Sequence, residues 1–264
     1  MLHSPSSVLA VATGAGALVQ ILDQPTWFAR HKRLAGGAIF WGALFHASVH
    51  HLSSALLIST PLFTLSTLCI MATYFQTTPR NYTAVAVTPE GINTDEFLQA
   101  TEGLIKIFDL FGSVFSVVQN DMNGNVKKIR ERFLQNPAGN STLQNLVKGE
   151  ASEKKKTATE GLLWLTRGLD FTLKSLKRSE ENPGEELSVS FTKGYEATLK
   201  QYHGMLVRPV FAMAMKACPY RADFYTKLGS DQGLVKEDLS AYLKGLNDIV
   251  ADIQAYYVAN KLDK

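Results

Sequence analysis

The chain has 264 residues, of which 45% are hydrophobic, 19% charged and 10% aromatic. That suits one large domain, or a medium domain with an appendage, and excludes intrinsic disorder, collagen-like repetition and a disulfide scaffold. A formal net charge of +3, from 27 Lys+Arg against 24 Asp+Glu, falls short of the phosphate-neutralising surface that nucleic acid requires, so no nucleic-acid partner is expected.

Across residues 1–90 the only charged side chains are Asp23, Arg30, Lys32, Arg33, Arg80 and Glu90, whereas the remainder has the composition of a soluble protein. The chain thus divides near Thr88-Pro89-Glu90-Gly91 into a hydrophobic extension, 1–90, and a second region, 91–264. From Leu34 to Phe75 no Asp, Glu, Lys or Arg occurs, a stretch about twice as long as one helical crossing of a bilayer needs. Arg30, Lys32 and Arg33 precede it and Arg80 follows, which fits a hairpin of two short spans with both flanks cytoplasmic. A single span from about Leu52 to Phe75, with Pro61 inside it, and an extension that forms no stable element are the alternatives. Membrane anchoring through residues 34–75 is therefore one expectation. Val8 to Leu22 is apolar, but no Lys or Arg precedes it, which argues against a cleaved signal.

His46 and His50 lie one helical turn apart with His51 beside them, a spacing that holds metal and occurs in the histidine boxes of membrane di-iron oxidases. Such centres need several boxes. His3, His31 and His203 are too few and too scattered to complete one, so no metal and no cofactor is expected. Cys69 and Cys218 stand in stretches of very different composition and read as two ordinary thiols in a reducing compartment.

From Asn93 onward the sequence reads as long helices. Thr94 is the expected N-cap of a helix whose first turn carries Asp95 and Glu96. Helical stripes follow in Leu104, Phe108, Phe111, Phe115 and Val118, then in Met122, Val126, Ile129 and Phe133. Leu162, Leu165, Leu169, Leu173 and Leu176 form a third, and Phe191, Tyr195, Leu199, Tyr202 and Leu206 a fourth. Leu239, Leu243, Leu246, Val250, Ile253 and Tyr257 form the fifth. Asn136-Pro137-Ala138-Gly139 and Glu181-Asn182-Pro183-Gly184 separate helices, and Pro209 is expected to end or kink the helix carrying Tyr202. With no comparable period-two run, an all-α packed domain follows.

Asp121, Asn125 and Lys128, spaced i, i+4, i+7, share one helix face, separate from that of Met122, Val126, Ile129 and Phe133. The trio offers an acceptor, an amide and a cation, the set that sugar hydroxyls use, although the same spacing serves equally as a solvated face. No acid/base pair, nucleophile triad, metal cluster or phosphate loop accompanies it, so no catalytic residue is assigned and no enzyme is expected.

Asp121-Met-Asn-Gly-Asn125-Val-Lys-Lys128-Ile, Asn136-Pro137-Ala138, Thr142-Leu143-Gln144-Asn145, Leu163-Trp164-Leu165-Thr166-Arg167-Gly168-Leu169, Lys200-Gln201-Tyr202-His203-Gly204 and Cys218-Pro219-Tyr220-Arg221-Ala222-Asp223-Phe224 resemble the glycolipid transfer protein family in order and spacing. The resemblance covers about Asn93 to Leu228 and, more loosely, the last helix; residues 1–90 have no counterpart in it. It implies an all-helical two-layer sandwich around a collapsible apolar pocket for ceramide chains, with a sugar-recognition centre at its mouth. By that resemblance Asp121 and Asn125 bond the first sugar, Asp121 also accepts from the ceramide amide, Lys128 donates to sugar hydroxyls, Trp164 underlies the ring, and His203 donates to the ceramide carbonyl. Phe108, Phe111, Phe115, Phe171, Phe211 and Phe224 are assigned to the pocket, consistent with more aromatic surface than a simple helical seam needs.

The implied activity is non-vesicular transfer of glucosyl- or galactosylceramide by a cytoplasmic protein that visits membrane surfaces without covalent chemistry. Its ligand is a glycosphingolipid, its surface partner a membrane. A membrane-tethered glycolipid sensor and a ceramide-1-phosphate carrier are the alternatives. Sheltering about 30 methylenes at about 0.8 kcal/mol each is largely matched by the donor bilayer. A few hydrogen bonds at about 0.5–1.5 kcal/mol each then set selectivity. The ceramide-1-phosphate branch carries cations where this chain has Asn125 and Trp164, so these two favour sugar; Arg167 keeps sulfated sugars or phosphate in view. Two departures stand out: Met205 replaces a tryptophan that inserts into the bilayer interface in some members, and Asn260–Lys264 lacks a closing tyrosine.

Overall fold

The computed structural model describes residues 72–263. The apolar run at 34–71, the histidines at 46, 50 and 51, and Cys69 lie outside these residues. Among the described residues no helix is long and apolar enough to cross a membrane.

The described chain opens with a strap. A one-turn helix, α1 (Tyr74–Thr77), and a 3-10 turn at Tyr82–Ala84 lead into a minimal antiparallel hairpin, β1 (Val87–Thr88) with β2 (Gly91–Ile92), in register Val87↔Ile92 and Thr88↔Gly91. The remaining elements are α2 (Thr94–Ile105), α3 (Ser116–Gln135), α4 (Leu143–Glu150), α5 (Thr157–Glu181), α6 (Leu187–Ala197), α7 (Arg208–Lys216), α8 (Arg221–Leu228) and α9 (Gln232–Ala259). The all-α class holds, with one two-residue hairpin as its only sheet among the described residues.

The strap is part of the core. Phe75 packs on Tyr242 with ring centroids 5.0 Å apart. The Tyr82 hydroxyl donates to Thr101 Oγ1 at 3.0 Å, and its ring meets Tyr242 edge-on at 5.5 Å. α9 approaches so closely that a Cβ on Gly245 would sit 2.7 Å from the Thr83 backbone nitrogen, and glycine is what permits the contact. Packing therefore continues through the compositional boundary near residue 90, back at least to Thr73, which is buried and bonds Asp238.

Capping departs from the sequence expectation in an instructive way. Asn93 is the N-cap of α2, its Oδ1 accepting from Glu96 N at 3.0 Å. Thr94, the expected cap, is already helical, and its hydroxyl donates instead to Asn140 O at 2.8 Å. The first-turn Asp95 and Glu96 stand as expected. α5 begins with no capping side chain of its own; Glu150, at the end of α4, accepts from Ala158 N at 3.1 Å and Thr159 N at 2.7 Å instead. One carboxylate thereby satisfies two buried donors that no turn of helix precedes.

Two sequence stripes are not continuous helices. The run from Leu104 to Val118 tightens to 3-10 geometry over Lys106–Phe111, breaks at Gly112 with φ 84°, and resumes through Ser113–Phe115 into α3. Gly112 supplies the left-handed backbone that ends the first helix, and all five stripe residues are nonetheless buried. The fourth stripe ends at Thr198, whose φ of −126° and ψ of −87° leave helical space; Tyr202 and Leu206 are exposed. Pro209 begins α7 rather than ending its predecessor, because a missing N–H is harmless in a first turn. The stripes of α5 and α9 are buried as expected. α5 is the hub, packed on α3, α4, α6 and α9.

Candidate functional site

Asp121, Asn125 and Lys128 stand on the face of α3 that turns toward α5. A Cβ on Gly161 would lie 3.2 Å from the Lys128 side chain and 3.4 Å from Asn125 O, and one on Gly168 would lie 3.5 Å from Met122. Trp164 falls three residues after Gly161 and four before Gly168, hence on the same face of α5, between those two contacts. Trp164 thus stands on the side of α5 that packs against α3.

The amide of the trio is engaged at both ends. Asn125 is buried; its Nδ2 donates to Asp121 O at 3.1 Å, and its Oδ1 accepts from Lys128 Nζ at 2.9 Å. Asp121 counts as exposed, yet protein crowds one side of its carboxyl. That partial desolvation raises its pKa, and the Lys128 ammonium pulls it back down.

His203 joins from the turn after α6. Its ring stacks near-parallel to Trp164, with centroids 6.4 Å apart and planes at 19°. Its Nδ1 shares a hydrogen bond with the Tyr195 hydroxyl at 3.2 Å, and Phe211 lies against its ring at 4.4 Å. Desolvation, then the nearby Arg208 charge, lowers its pKa from the ordinary 6.5, so the imidazole is neutral at neutral pH.

Beside Trp164, the Arg167 guanidinium lies 3.7 Å from the Tyr202 ring centre and 4.7 Å from that of Trp164, and it donates to Asp263 O at 3.1 Å. The cation noted in the sequence is thus engaged by two aromatic faces and the C-terminal tail. Tyr195, the partner of His203, was not singled out as a site residue by sequence reasoning; its signal was only a place in an apolar stripe.

The six phenylalanines assigned to the pocket are all buried, and ring contacts connect them to this centre. Phe108 stacks on Phe115 at 5.6 Å, and Phe111 meets both Phe191 and Phe224 at 4.9 Å. Phe191 contacts Phe171 at 5.7 Å, Phe171 reaches Tyr195 at 6.5 Å, and Tyr195 stacks on Phe211 at 5.4 Å. An aromatic seam thus runs from the interior to His203. Its rings pack on one another, in a closed arrangement.

Residues 92–230 match the model of the family described as glycolipid transfer protein. The chain is 49% identical to a glycolipid transfer protein of Aureobasidium melanogenum over 179 residues, covering 67% of this chain and 89% of that protein. The crystal structure of HET-C2, a fungal glycolipid transfer protein, superposes with a TM-score of 0.66 at 46% identity, covering 70% of this chain and 96% of that one. The structure of FAPP2, which selects simple glycosphingolipids using the same fold, gives 0.67 at 31% identity, with 73% and 98% covered. This chain belongs to the glycolipid transfer protein family.

Proposed function

We propose that this chain carries a glycosphingolipid with a simple glucosyl or galactosyl head between membranes, holding the sugar at the polar centre and the ceramide chains among the phenylalanines. The observation that supports the reading is the stacking of His203 on Trp164, which stands on the side of α5 that packs against α3, the helix of Asp121, Asn125 and Lys128, at the end of a continuous aromatic seam. Trp164 offers a flat apolar surface to the C–H face of a sugar. Asp121 accepts from sugar and ceramide amide, Asn125 accepts and donates, and Lys128 donates. With Tyr195 donating to Nδ1, neutral His203 keeps its proton on Nε2, and this N–H donates a hydrogen bond to the ceramide carbonyl. Asn125 is neutral and Trp164 is aromatic, so neither position supplies a cation to a phosphate head, and Arg167 is already engaged by two rings and Asp263 O, which supports sugar over ceramide-1-phosphate.

Region 91–264 is the lipid-carrying part in this reading, with the strap from Thr73 built into its core. It meets a cytosol-facing leaflet peripherally through the exposed Met205-Leu206-Val207 segment next to His203. Transfer of fluorescent glucosylceramide between vesicles tests the proposal: Asp121→Val abolishes it and Trp164→Ala reduces it strongly, while unchanged rates in both variants defeat it. Running galactosylceramide, sulfatide and ceramide-1-phosphate in the same assay ranks the head groups, and faster transfer of ceramide-1-phosphate overturns the choice of sugar.

A further inference from the structure

We propose that the groove between α6 and α7 binds the phosphate of an anionic glycerophospholipid in the bilayer on which the protein docks. The inference rests on the membrane-visiting reading above and adds a second lipid site, distinct from the sugar centre. The groove has a volume of about 350 Å³ and is lined by three cations: Lys200 from the turn after α6, Arg208 from the start of α7 and Lys216 from its end. Glu196 is its one acidic lining residue, and that carboxylate is already shared between Lys193 at 3.2 Å and Lys200 at 3.5 Å.

The donors are largely unspent. Arg208 uses its Nε on the carbonyls of Lys200 and His203, at 3.2 and 2.8 Å, which fixes the side chain while its two terminal nitrogens stay available. Lys216 is exposed and makes no hydrogen bond or ion pair among the described residues. A fixed guanidinium suits a phosphodiester, with Arg208 forking onto two oxygens and the lysines along the groove acting as point charges.

The apolar neighbours decide between a lipid and a free anion. Met205 lines the groove at 85% exposure and Leu206 follows at 91%, while Pro209, Ala212 and Met215 extend the wall. Met215 is already buried, whereas soluble phosphate would leave Met205, Leu206, Pro209 and Ala212 in water. A phospholipid in a bilayer covers them with its acyl region while its phosphate meets the cations, the pairing that interfacial segments use. The groove also shares Tyr195 with the sugar centre, so both sites face the same docked membrane.

Flotation of the full chain with glycolipid-free vesicles, pure phosphatidylcholine against phosphatidylcholine containing phosphatidylserine, measures the anionic increment, to which Arg30, Lys32 and Arg33 contribute equally in every variant. Loss of the Lys216 charge in Lys216→Gln should weaken that increment about fivefold, the effect of one cation at an anionic surface, and Lys216→Glu should weaken it further while Lys216→Arg retains it. Lys244→Glu, the same charge change on α9, should leave it near the wild-type level. An equal increment in wild type and Lys216→Glu overturns the proposal, and so does an equal loss in Lys244→Glu, which would mark a net-charge effect. Competition by inorganic phosphate without any vesicle increment also overturns it, as a free-anion site. Asp121→Val, which removes transfer, should keep the full increment, so the two readings fail separately.

Discussion

Asn125 has both ends of its amide occupied, by Asp121 O and Lys128 Nζ. In the proposed reading a sugar exchanges hydrogen bonds here rather than adding them to bare groups, and each exchange contributes about 0.5–1.5 kcal/mol. Asn125→Ala, which leaves Lys128 without its local acceptor, should slow transfer about tenfold in the vesicle assay, on a loss of about 1.4 kcal/mol. His203 gives a pH signature. Its folded pKa is depressed below 6.5, chiefly by desolvation, so the unfolded chain binds the extra proton first. Stability from this group is full above about 6.5 and declines as pH falls from there toward the folded value. Asp121, raised from 3.8 mainly by desolvation, acts with the opposite slope, losing stability as pH rises from 3.8 through its folded value. His203→Gln should flatten the fall of melting temperature just below pH 6.5 relative to wild type; an unchanged slope would remove His203 as its source.

Capping and breaks govern the elements. Asn93→Ala removes one half-buried cap and should cost about 1 kcal/mol. Glu150→Ala should cost more, about 2 kcal/mol or above, because it orphans two buried N–H groups at the head of α5. Urea unfolding of the two variants checks the order. The long helices α5 and α9 were legible because their apolar period persists for many turns. The breaks at Gly112 and Thr198 were not, since both lie inside stripes whose residues before and after them keep helical spacing. The polar trio was legible as a face, and Trp164 and His203 through their motifs. The bond from Tyr195 to His203 was hidden, because the chain leaves helical geometry between them and spacing no longer reports proximity.

At the scale of the whole described chain, composition and packing divide at different places. Low charge marks residues up to 90 as unlike the rest, whereas Phe75, Tyr82 and Val85 are buried in the same core as α9. Composition senses what a segment is made of; burial depends on what it meets. A chain starting at residue 91 should be less stable than one starting at residue 72 by about 4 kcal/mol or more, from two aromatic side chains at about 2 kcal/mol each, measured by the urea midpoint. Equal midpoints would show the strap to be dispensable.

The ring-on-ring seam has a consequence for traffic in both directions. In the proposed reading, acyl chains that enter between Phe111, Phe191 and Phe171 swap one hydrocarbon neighbour for another, so loading and emptying leave the amount of wetted oil nearly level. Rings that meet one another again after delivery would spare the empty carrier a greasy surface that could recruit other proteins on the way.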